Sequence, residues 1–145
     1  MLRLLIRGLP AWTPSIVCLL TILYLTLWPD PLHGTHIELF EGADKVVHGI
    51  MMMGMILCMG LDALRKKAAR RLDDSVRAPK GLLFVYFIIV SLFGGAIELL
   101  QGAMGMGRGE DMMDFLADVA GAFVGWMICL AGWGATVRWL FREQD

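Results

Sequence analysis

Four stretches of this chain contain no Lys, Arg, Asp or Glu: residues 8–29, 46–61, 81–97 and 119–137. A helix that crosses a bilayer needs roughly 20 mostly apolar residues. Each stretch reaches that length alone or with its flanks; the second is shortest and borrows Lys45 or Asp62. Helices of a soluble bundle need a polar outer face, whereas residues 16–28 and 82–93 are apolar all round. Residues 85–90 do not alternate, as a transmembrane β-strand must, and a helix satisfies its own backbone inside lipid. Composition agrees: 19% of the 145 residues are charged, against about 25% in soluble domains. The expectation is one all-α domain over residues 1–145, an integral membrane four-helix bundle. Its helices are expected at about 11–28, 45–64, 81–102 and 113–140.

Charge placement orients the bundle. Of thirteen Lys and Arg residues, eleven fall on one side if the chain crosses four times: Arg3, Arg7, the seven between 65 and 80, Arg138 and Arg142. Cytoplasmic loops carry the Lys/Arg excess, so the N-terminus, the 65–80 segment and the C-terminus are expected in the cytoplasm. Arg3 and Arg7 precede an apolar run without a small-residue cleavage site, which reads as an uncleaved anchor. The basic segment suits anionic lipid rather than nucleic acid. Cys18, Cys58 and Cys129 lie inside apolar runs and read as small hydrophobes. The methionines at 51, 52, 53, 55 and 59 read as adaptable apolar filler.

The remaining polar residues gather at the opposite ends of the runs. Asp44, Lys45 and His48 open the second helix, and Glu98 and Gln101 close the third. Arg108, Glu110, Asp111, Asp114 and Asp118 lie in or just after the last loop. Residues three or four apart share a helix face. Asp111, Asp114, Asp118, Gly121 and Gly125 therefore form one stripe, whose GxxxG pair lets another helix approach closely. Ionisable groups within a spanning segment are costly and mark functional sites. His48, Glu98, Asp114 and Asp118 are the candidate catalytic residues. Asp44, Lys45, Gln101, Arg108 and Asp111 are the candidate ligand-binding residues. A carboxylate-rich pocket also suits a divalent cation.

These residues resemble a known family. Asp44-Lys45-Val46-Val47-His48 has the DKxxH form that opens the second helix of VanZ-like proteins, and Glu98-Leu99-Leu100-Gln101 has their ExxQ form. Arg108, Asp111, Asp114, Asp118, Gly121 and Gly125 look like the family's R…D…D…N…G…G signature, with Asp118 where the family usually has Asn. The resemblance covers roughly residues 10–135. The founding member is linked to reduced susceptibility to teicoplanin, a lipoglycopeptide that acts at the outer face of the bacterial membrane. The resemblance thus implies a multi-pass protein of the bacterial cytoplasmic (inner) membrane with a cell-envelope role, leaving the reaction open.

Two function classes follow. In one, an outer-leaflet pocket binds or modifies the headgroup of an envelope lipid or lipid-linked glycan. His48 or Glu98 would be general base or acid, and Arg108 with Lys45 would hold an anion. In the other, the cluster is structural or docks a partner membrane protein, without catalysis. A transport path through four helices would require a homo-oligomer.

Overall fold

The computed structural model describes residues 8–28, 42–68, 77–104 and 112–141, and these form four helices. They are α1 (Thr13–Leu27), α2 (Ala43–Ala68), α3 (Lys80–Met104) and α4 (Met112–Phe141). No strand occurs among the described residues. The loops expected to carry His33, His36, Arg70 and the alternating glycines Gly105, Gly107 and Gly109 lie outside the described residues.

Local chemistry sets the helix ends. Pro14 sits in the first turn of α1, where its missing N–H costs nothing. Trp12, just before it, adopts φ 66°, a left-handed conformation unusual for a residue with a Cβ. Lys66 lies over the Trp12 ring, 5.6 Å from its centroid. Gly42, at φ 83°, supplies the left-handed turn into α2. Asp44 in the first turn of α2, and Arg65, Lys66 and Lys67 in its last, complement the helix dipole.

Helices α2, α3 and α4 are each long and apolar enough to cross a membrane. With 15 residues, α1 is shorter than the 11–28 span expected of it. At about 1.5 Å per residue it measures about 22 Å, short of a hydrocarbon layer of about 30 Å.

Specific contacts give the directions. Gly49 meets Ala117 and Gly121, Met53 meets Gly125, and Gly60 meets Cys129. Residue numbers rise together, so α2 and α4 run parallel, and theirs is the most extensive interface. Gly94 meets Asp118 and Gly95 meets Phe115, while Phe84 packs on Trp126; α3 is therefore antiparallel to α4. Ser15 pairs with Asp62 and Thr26 with Gln101, which runs α1 antiparallel to α2 and parallel to α3. The bundle alternates up and down. One end gathers the C-terminus of α1, the N-terminus of α2, the C-terminus of α3 and the N-terminus of α4.

Its core is thin: Ile22, Met52, Ile56, Leu83, Val90, Ile97 and Leu140 are nearly inaccessible. Outside, large apolar side chains are bare, among them Val17, Leu20, Leu92, Leu99 and Met127. A soluble monomer rarely exposes so continuous an apolar surface; a lipid-embedded one must. Lipid gives apolar groups no reason to leave it, so helices join through close packing of small residues. Gly121 and Gly125 serve that purpose. A Cβ at Gly121 would run into the Gly49 backbone carbonyl, and one at Gly125 would lie 2.9 Å from the Met53 carbonyl oxygen.

Candidate functional site

Helix periodicity brings His48, Glu98 and Asp118 to one level of the bundle. They lie five, six and six residues inside the ends of α2, α3 and α4. That is about 8–9 Å along each axis. His48 Nδ1 stands 3.1 Å from Asp118 Oδ1 and 3.4 Å from Glu98 Oε1. Side-chain exposure is 10% for His48, 6% for Glu98 and 0% for Asp118. Three ionisable groups from three helices therefore meet with little access to solvent.

Two glycines make room for this. Asp118 lies in a slot on α3 that Gly94 leaves open: a Cβ there would sit 2.6 Å from Asp118 Oδ2 and 2.8 Å from its Cβ. Gly49, the neighbour of His48, lets the Ala117 carbonyl approach to within 3.3 Å of where a Cβ would stand. Asp118 uses Oδ1 toward His48, while its Oδ2 has no hydrogen-bond partner among the described residues. One imidazole nitrogen faces two carboxylate oxygens, and a single N–H donates well to one of them.

A second group of charges lies nearer the helix ends. Lys45 Nζ is 3.3 Å from both Asp114 Oδ1 and Asp44 Oδ2. Asp114 is largely covered, Lys45 half-buried and Asp44 exposed. The polar column thus runs from the bundle surface through Lys45 and Asp114 to the buried triad.

Gln101 is placed otherwise. It is buried on α3, and its Nε2 donates to the Thr26 carbonyl of α1 at 2.9 Å. This ties the last turns of two parallel helices together and satisfies a carbonyl that a helix terminus leaves open. Arg108 and Asp111 lie outside the described residues.

Some polar groups carried little sequence signal for their place. At the other end of the bundle, Asp62 accepts hydrogen bonds from the Ser15 hydroxyl at 2.6 Å and from the Ser15 N–H at 3.1 Å. Arg65 donates to the same carboxylate at 2.9 Å and also to the Leu9 carbonyl. Asp62 and Arg65 look in sequence like the start of the solvated basic segment. Only their spacing of three, an ion-pair spacing on a helix, hinted at more. Ser91, on the Gly94 face of α3, buries an Oγ without a hydrogen-bond partner among the described residues.

Chemically, the triad can hold and move a proton between an imidazole and either of two carboxylates. It also assembles the donor set of a cation site, since the His48, Glu98 and Asp118 ligand atoms all lie within 4.8 Å of one another.

No curated protein and no solved structure matches the chain. A family model does, over residues 13–134, and its description is VanZ/LLP1. The matched stretch contains all four helices up to the last turns of α4, together with every member of the polar column. This chain belongs to the VanZ/LLP1 family.

Proposed function

We propose that this VanZ-family protein sits in the bacterial cytoplasmic membrane with both termini in the cytoplasm. Its polar column would then open to the outer leaflet and bind or modify the headgroup of an envelope lipid or lipid-linked glycan. The observation that carries this reading is the buried His48–Glu98–Asp118 triad, reached from the bundle end through Lys45 and Asp114. Ionisable groups are expensive at that depth and are kept where they work. A headgroup phosphate or carboxylate would meet Lys45, with Arg108 as the expected second cation. His48 or Glu98 would act as general base or acid on a group brought to the triad. The charge bias supports the orientation: Arg65, Lys66, Lys67, Arg77 and Lys80 lie at the end of the bundle opposite the triad. An influence on glycopeptide susceptibility follows from acting on outer-leaflet lipids.

The test is native mass spectrometry of the protein released from nanodiscs of bacterial lipid extract. The expected result is a retained anionic lipid that is lost in Lys45→Ala. Identical lipid retention by wild type, Lys45→Ala and Glu98→Gln would favour the structural role of the cluster.

A further inference from the structure

The triad has a donor set unlike the other polar contacts of the bundle. Asp62–Arg65–Ser15 pairs an anion with a cation and hydroxyl and amide donors. Lys45 likewise lies between two carboxylates. At His48, by contrast, the nitrogen on which two carboxylates converge carries at most one N–H, where the Lys45 ammonium carries three. Asp118 is fully buried there with Oδ2 lacking a hydrogen-bond partner among the described residues. A buried carboxylate oxygen without a donor is costly, and the imidazole that meets Asp118 Oδ1 leaves Oδ2 unanswered among the described residues.

We propose that His48 Nδ1 and the carboxylates of Glu98 and Asp118 bind one divalent first-row transition-metal ion, of which Zn2+ is the probe of choice. The distances fit. Zinc bonds of about 2.0–2.2 Å at tetrahedral angles hold ligand atoms about 3.3–3.6 Å apart. Nδ1 already stands 3.1 and 3.4 Å from the two carboxylate oxygens. The third separation lies within 4.8 Å. Charge fits as well: a dication balances two carboxylates with the imidazole neutral, which is the state that donates a lone pair to a metal. Donor type narrows the ion. One imidazole with two carboxylates is harder than a thiolate site and softer than the all-oxygen sets that Mg2+ and Ca2+ prefer.

Three protein ligands leave a coordination position of a four-coordinate ion open, as in catalytic rather than structural sites. That position would take water or a phosphate oxygen. This deepens the headgroup reading and rests on the same triad, but metal binding is measurable without any lipid.

The experiment uses the full chain in detergent, with any affinity tag removed and the protein stripped by chelator. Calorimetric titration with Zn2+, Mn2+ and Mg2+ should show one Zn2+ per chain, Mn2+ weaker and Mg2+ weakest. Zn2+ should raise the melting temperature. Changes to groups beyond the metal ligands alone weaken metal sites about 10–100-fold, so Glu98→Gln and Asp118→Asn should each weaken Zn2+ by at least about tenfold. The double change His33→Gln, His36→Gln removes the other two histidines of the chain and should leave binding intact. Should a triad variant fail to fold, X-ray absorption of the wild type decides: nitrogen and oxygen ligands with one imidazole support the site, and sulfur ligands overturn it. Absence of saturable Zn2+ uptake, or uptake indifferent to Glu98→Gln and Asp118→Asn, also overturns it. Lipid retention separates the two readings. Retention that depends on Lys45 in a protein that takes up no Zn2+ leaves the headgroup reading standing alone. Zn2+ uptake in a protein whose lipid retention is indifferent to Lys45 leaves the metal site standing alone.

Discussion

Asp118 and Gly94 work as a pair. The carboxylate reaches His48 because residue 94 has no side chain, so Gly94→Ala should push Asp118 out of register although glycine is the poorer helix former. Overpacking of this kind costs about 1–3 kcal/mol, measurable by unfolding in mixed micelles. Stability equal to wild type would mean that Asp118 can swing aside freely. At the opposite end, Asp62→Ala removes the acceptor for Arg65 and for Ser15. Breaking a buried ion pair from one side costs about 3–5 kcal/mol. Asp44→Ala, at an exposed position, should cost no more than about 1 kcal/mol, the worth of an exposed charge in the first turn of a helix. His48, Glu98 and Asp118 stand out in sequence because each interrupts apolar surroundings. Their slot does not: a glycine that accommodates a distant carboxylate looks like any other glycine in a membrane helix. Gln101 shows the converse, for its spacing from Glu98 put it on the site's face and its bond goes to α1.

Among the elements, the α2–α4 interface depends on small residues. Gly121→Ala should destabilise the bundle more than any other single glycine replacement in α4, because its Cβ would run into the Gly49 carbonyl oxygen, a deeper clash with main chain than the 2.9 Å at Gly125. Gly54 has nothing within 4 Å of its Cβ position. Gly54→Ala should therefore be neutral or gain up to about 1 kcal/mol from helix propensity. Melting of the two variants side by side checks the contrast; equal losses would contradict the packing. The GxxxG pattern announced that α4 meets another helix closely. It did not say which, since close approach is a property of one surface and partner choice depends on both. Helix existence followed from the four charge-free runs. The late start of α1 did not, because Pro14 and the left-handed Trp12 begin the helix five residues inside the apolar run, two later than expected.

For the whole molecule, the alternating bundle sends His48, Glu98, Asp114 and Asp118 to one end and Asp62, Arg65 and Arg138 to the other. Lys/Arg bias then predicts which end faces out. Single cysteines at positions 77 and 113, in a background lacking the native three, test this in intact cells. Position 113 should react with an impermeant maleimide and position 77 only after permeabilisation; the reverse pattern would put the triad on the cytoplasmic side. The most direct measurement replaces one oxygen by nitrogen inside the triad. Glu98→Gln preserves shape and much of the hydrogen bonding, so the variant should insert and accumulate as wild type does, and the two should melt alike once both are stripped of metal. On the proposed headgroup function, it should nevertheless fail to restore envelope behaviour, read as teicoplanin susceptibility, to cells lacking the protein. A folded Glu98→Gln protein that restores it fully would show that the buried carboxylates hold the helices together and do nothing more.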